Sequence, residues 1–177
     1  MAPLLRPSEC SVLIVDALNS QASENTIIVN RDRLLEAASM CGIPSFVALY
    51  LHDPAGGKPG ALSQNARYYS LPPTGVLWDD SAFGRALAQT RRPSVLLCGH
   101  WLEEYITFAA IKALSEGYDA YIVADASPTR DSIARGSALL RLVQAGVVPM
   151  TTRQVIRKWA ATDLSDTNHT NRLLALA

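Results

Sequence analysis

Polar side chains gather where the apolar runs of this chain end, and that is where it could do chemistry. Asp16 lies near the end of the run Ser-Val-Leu-Ile-Val-Asp-Ala at 11–17, and His52 and Asp53 follow the run at 43–51. Gly99-His100-Trp101-Leu102-Glu103-Glu104-Tyr105 follows Ser-Val-Leu-Leu-Cys at 94–98, and Asp125 follows the run at 119–124. A carboxylate such as Asp16 can serve as a base, with His100, Glu103, Glu104 or Tyr105 as acid or substrate clamp. Each has a plainer reading. Glu103 and Glu104 suit the positive end of a helix they would open, and Trp101 and Tyr105 suit a pocket wall or core. His52 and Asp53 read as a solvated pair rather than metal ligands, because the other histidines lie 48 and 117 residues further on. No metal and no cofactor is expected.

Familiar motifs are missing. No Gly-x-Gly-x-x-Gly follows a strand, and no Gly-x-Ser-x-Gly elbow occurs. Gly57-Lys58-Pro59 puts proline where a phosphate loop needs a hydroxyl. Cys10, Cys41 and Cys98 are odd in number and far apart, which suits neither a disulfide framework nor a zinc site. Cys98, placed before the glycine that ends its run, reads as a buried structural thiol.

The elements that must position these residues alternate. Apolar runs at 11–17, 43–51, 94–98, 119–124 and 147–150 predict strands buried on both faces. Helical patterns fall at 25–40, 81–89, 103–115, 130–144 and 152–160, with Thr151 and Gln154 spaced as a capping box. This rhythm predicts a parallel sheet with helices on both faces, whose ligands bind beyond the carboxyl ends of the strands. The expectation is one domain over 1–177, with a long loop at 52–80 and a tail from 162 that is frayed, surface-docked or packed on a neighbouring subunit. Residues 75–78 in the loop offer one more short strand.

Composition narrows the role. With 49% apolar and 18% charged residues the chain is a globular domain, and its 16 Lys+Arg balance 16 Asp+Glu. No nucleic-acid partner and no membrane partner is expected from that balance and from the lack of a long apolar run. The N-terminus has no signal-peptide pattern, so a cytoplasmic location is expected.

Asp16 at a strand end, Gly42-Ile-Pro44, Leu-Leu-Cys-Gly-His-Trp-Leu-Glu-Glu-Tyr-Ile-Thr, Gly117-Tyr-Asp-Ala-Tyr-Ile-Val-Ala-Asp-Ala and Arg141-Leu-Val-Gln-Ala-Gly-Val-Val-Pro-Met-Thr occur in an order and spacing that resembles the isochorismatase-like hydrolase superfamily, which includes cysteine hydrolases of small amides. The resemblance covers roughly residues 5–160. It implies a Rossmann-like, three-layer fold with a six-stranded parallel sheet in the order 3-2-1-4-5-6, residues 75–78 supplying the short strand. It implies an Asp-Lys-Cys triad, a cis peptide at His100–Trp101, and the amides of Trp101 and Tyr105 as an oxyanion hole. It also implies homo-oligomers.

This sequence departs from that pattern. Asp16 matches the family Asp, but Tyr105 stands at the Cys position and Leu18 where Gln is common. The lysines are Lys58, Lys112 and Lys158, and the stretch just before Trp78 where the family Lys is expected, Leu-Pro-Pro-Thr-Gly-Val-Leu, holds none. A phenol with a pKa near ~10 does not replace a thiol near ~8.5. The expected function is a homologue with a degenerate triad, retained for binding a small molecule or for assembly. The candidate catalytic residues are Asp16 and Tyr105, and His100, Trp101, Glu103 and Trp78 the candidate substrate-binding ones. The alternative is an active hydrolase with rewired acid–base chemistry, using Asp16 and the 100–105 loop, with Lys58 or Arg67 supplying positive charge.

Overall fold

The computed structural model describes residues 5–17, 25–50, 66–71, 77–79, 81–162 and 166–177. Six strands form one sheet: β1 (Cys10–Ala17), β2 (Ser45–Tyr50), β3 (Ala66–Leu71), β4 (Ser94–Gly99), β5 (Asp119–Val123) and β6 (Val148–Met150). Their order is β3-β2-β1-β4-β5-β6 and every neighbouring pair is parallel. The helices are α1 (Asn25–Met40), α2 (Ser81–Gln89), α3 (Thr107–Ser115), α4 (Ser132–Ala145), α5 (Thr152–Thr162) and α6 (Thr167–Leu176). Among the described residues no helix is long and apolar enough to cross a membrane.

Period-two alternation divides the core. Cys10, Val12 and Ile14 of β1 and Leu96 and Cys98 of β4 join Leu34, Ala38, Ile156, Trp159 and Leu173 of α1, α5 and α6. Leu13, Val15, Val95 and Leu97 face the other way, onto Phe83, Leu87, Ala110, Ala113 and Leu142 of α2, α3 and α4. Strands covered on both faces have no polar side to show, which is why they read as continuous apolar runs.

Two expectations are corrected. The extra strand is Ala66–Leu71, paired with β2 from Ser45↔Ala66 to Tyr50↔Leu71, whereas Leu77–Asp79 form a 3-10 turn. As an edge strand, β3 has a partner on one side only; Arg67, Tyr68 and Ser70 are exposed, so no apolar run marks it. Tyr69 turns inward, 5.5 Å from Phe83 between ring centres, and Ala66 packs on the opposite layer. The segment 52–80 is therefore not one loop. The tail forms α6, capped by Asp166, and of the readings offered for it the docked one holds, with Leu173 fully buried against this chain's own core.

Local signals explain the helix ends. The Thr151 amide donates to Gln154 Oε1 and the Gln154 amide to Thr151 Oγ1, closing the expected capping box. Asp131 Oδ1 caps α4 by accepting from the Ala134 amide at 2.7 Å, and Gly146, at φ 96°, ends it.

Candidate active site

The carboxyl edge of the sheet is built around one close approach. β1 and β4 run side by side to Val15↔Gly99, and the His100 amide donates to the Val15 carbonyl at 2.9 Å. Gly99 has φ 115°, and a Cβ there would stand 1.9 Å from the Val15 oxygen, so only glycine lets the chain leave β4 along β1. Asp16 follows Val15 in β1 and is thus carried beside this exit by its backbone; its side chain lies outside the described atoms. His52, Asp53, Lys58 and Leu18 also lie outside the described residues.

The peptide bond His100–Trp101 is cis. Beyond it, Leu102–Ile106 form a single π turn, the Ile106 amide donating to the Trp101 carbonyl at 3.1 Å, before α3 begins. Thr107 Oγ1 donates to the Leu102 carbonyl at 2.6 Å, and the Leu102 amide to the Pro128 carbonyl at 3.0 Å. The turn is thereby tied to the β5–α4 loop. His100 is buried, its ring edge-on to Trp101 at 5.2 Å.

Arg130 of that loop organises the acids. Its guanidinium pairs with the Glu104 carboxylate, lies 3.8 Å from Glu103 Oε1 and sits 5.4 Å from the centre of the Trp101 ring. Its amide also donates to Glu103 Oε1 at 3.1 Å, and the hydrogen-bonded Glu104 raises the Arg130 pKa. The second oxygen of Glu103, Oε2, is buried with no hydrogen-bond partner among the described residues. Glu103 lines a cavity of about 140 Å³ together with Thr107, Ser137 and Arg141. Tyr105 and Trp78 are half-buried and pack on the α2/α3/α4 layer of the core.

His100 and Trp101 thus lead directly into the turn that carries Glu103, Glu104 and Tyr105, with Asp16 beside its entrance by backbone placement. Asp125 serves another purpose: its Oδ1 accepts from the Thr152 amide at 2.7 Å and from Thr152 Oγ1 at 2.9 Å, fastening the start of α5. A cavity of about 360 Å³ is lined by Asp125 with Thr26, Asn30, Thr129 and Arg135, and takes in none of His100, Trp101, Glu103, Tyr105 and Trp78. Arg67 is also corrected. It pairs with Phe46 near the start of β3 and lies 6.0 Å from that ring, toward the amino ends of the strands. It cannot charge a site at the carboxyl edge.

Among the described lysines, Lys112 is in the last turn of α3 and pairs with Glu116 at 2.6 Å, while Lys158 lies within α5. Cys10 and Cys98 are buried, Cys41 is partly buried, and all three border the α1/α5/α6 layer. Burial pushes the Cys10 thiol up to about 12, against the opposing pull of Trp159 and Arg92. No group of three or more potential metal-binding side chains is found among the described residues. Sequence reasoning missed Arg130, because nothing in its spacing couples it to residues 101–104; only the fold does.

Comparison with known proteins agrees with this fold. No family model matches the chain. It is 37% identical over 84 residues, 48% of its length, to the probable hydrolase YcaC of Escherichia coli K12, of which the match covers 40%. The chain spans less than two thirds of the length of the curated relatives it matches. The crystal structure of E. coli YcaC, described as an octameric hydrolase of unknown specificity, superposes with a TM-score of 0.85 at 26% identity, over 97% of this chain and 89% of that one. YcaC from Pseudomonas aeruginosa, solved with hexane-2,5-diol and covalent acrylamide, shares the fold with a TM-score of 0.87 at 23% identity, over 99% and 92%. In sequence and in fold the chain is similar to the isochorismatase-like hydrolases, the YcaC-like proteins among them.

Proposed function

We propose that this chain is a member of the superfamily that has lost thiol-based amide hydrolysis and is retained, in the cytoplasm, for binding a small molecule at the carboxyl edge of its sheet. In this reading it assembles with copies of itself, as the octameric E. coli relative does. The observation that carries it is the position of the thiols. All three cysteines border the α1/α5/α6 layer, and none lies in the turn leaving β4, where the resemblance aligns Tyr105 with the nucleophile. A thiolate is favoured at a helix start or beside a cation; Cys10 is instead held protonated by burial. The acids nearest Tyr105 are committed to Arg130, which suits a rigid recognition wall.

The test is intact-mass analysis after incubation with acrylamide and with nicotinamide, together with an assay for released ammonia. No adduct and no turnover are expected from the native protein. Tyr105→Cys alone should restore little, since triad members act as a unit. A substrate-derived adduct on Tyr105, absent in Tyr105→Phe, would overturn the proposal.

One observation favours rewired acid–base catalysis: the buried, unpartnered Oε2 of Glu103. That reading requires turnover of a small ester or amide that is abolished in both Asp16→Asn and Glu103→Gln.

A further inference from the structure

Helix α4 carries its apolar side chains on two faces. Ala138 and Leu142 are buried against the core, as an amphipathic helix requires. Yet Ile133, Leu140 and Val143 are exposed at 83%, 61% and 52%. Together with Gly136, also exposed, they fall at a spacing of three, four and three residues. That spacing is the narrow seam by which one helix packs along another. The seam holds no charge, and Ser137 and Gln144 border it.

The neighbouring edge strand limits what the partner can be. β6 carries Pro149, which has no N–H to donate, so extension of the sheet by an incoming strand is disfavoured here. A helix fits the seam, and α4 itself is the complementary one. Two copies related by a two-fold axis at the level of residue 138 bring Ile133 against the other copy's Val143. The same operation brings Gly136 against the other copy's Leu140, so a side chain meets a gap.

We propose that α4 is a self-association surface, packing antiparallel against α4 of a second copy through Ile133, Gly136, Leu140 and Val143. This rests on the assembly reading above. A helix of this length spans only ~21 Å, so the seam is the centre of an interface that needs about 800 Å² from each partner. Arg141 on α4 and Val148 and Pro149 on the neighbouring β6 are also exposed.

The experiment measures solution mass by light scattering for the native chain and for Leu140→Glu/Val143→Glu, with circular dichroism confirming the fold. The native protein should exceed the 19.1 kDa of one chain by twofold or more, and the variant should lose at least half of that mass. Ile133→Cys/Val143→Cys should form an intermolecular disulfide under oxidation, which keeps the proposal testable if the charged variant misfolds. An oligomeric native protein whose mass withstands the charged pair, and whose cysteine pair does not cross-link, overturns the α4 surface and leaves assembly standing. A monomeric native protein overturns both.

Discussion

Gly99 and Cys10 are the residues whose surroundings speak most directly. At Gly99 both the positive φ and the missing Cβ are required, because the Val15 carbonyl occupies the space a methyl group would take. Gly99→Ala should therefore destabilise the fold by at least about 3 kcal/mol, read from urea unfolding, and displace the 100–105 turn. At Cys10 the folded protein binds the thiol proton more tightly than the unfolded chain, with a value of about 12 against an ordinary 9.0. The unfolded chain gives up its proton first, so this contribution to stability is complete below pH 9 and is lost as pH rises toward 12. Burial raises the Tyr118 and Tyr121 phenols as well, with the same sign. Urea midpoints should fall over that pH range, less steeply in Cys10→Ala. Native Cys10 should also resist iodoacetamide at pH 9 until the chain is unfolded.

Between elements, the contacts at the carboxyl edge join pieces distant in sequence. Asp125 holds the start of α5 through two hydrogen bonds from Thr152. Asp125→Ala removes a cap and should cost about 1–2 kcal/mol in unfolding experiments. Arg130 binds the β5–α4 loop to the π turn through Glu103, Glu104 and the Trp101 ring. Because the arginine is exposed, Arg130→Ala should leave the thermal midpoint nearly unchanged. Hydrogen exchange at the amides of 102–106 should nonetheless quicken, since the side chains that anchor that turn are released. Unchanged exchange there would show that backbone bonds such as Leu102 to Pro128 hold the turn alone.

For the whole molecule, two layers of unlike construction cover the sheet. α6 completes the first layer by burying Leu173 between α1 and α5. Leu173→Ala should cost ~2–5 kcal/mol, as a core leucine does, although it sits near the chain's last residue. In the second layer α4 covers the sheet with Ala138 and Leu142 and keeps Ile133, Leu140 and Val143 outside. The first layer keeps Ile28, Val29 and Leu174 at its surface singly, and the second carries the apolar seam of α4.

The sequence by itself determined the parallel sheet and most of its strands, because strands buried on both faces must be apolar throughout, as 11–17 and 94–98 are. It also placed the capping box of α5 and grouped His100 to Tyr105 in the stretch leaving β4, because those are local relations. The edge strand β3 escaped it, since one unpartnered side removes the apolar run that marks the others. The role of Asp125 and the grip of Arg130 on Glu103, Glu104 and Trp101 were decided only by tertiary structure. They depend on where the β5–α4 loop comes to rest against the exit of β4, and no spacing along the chain records that distance.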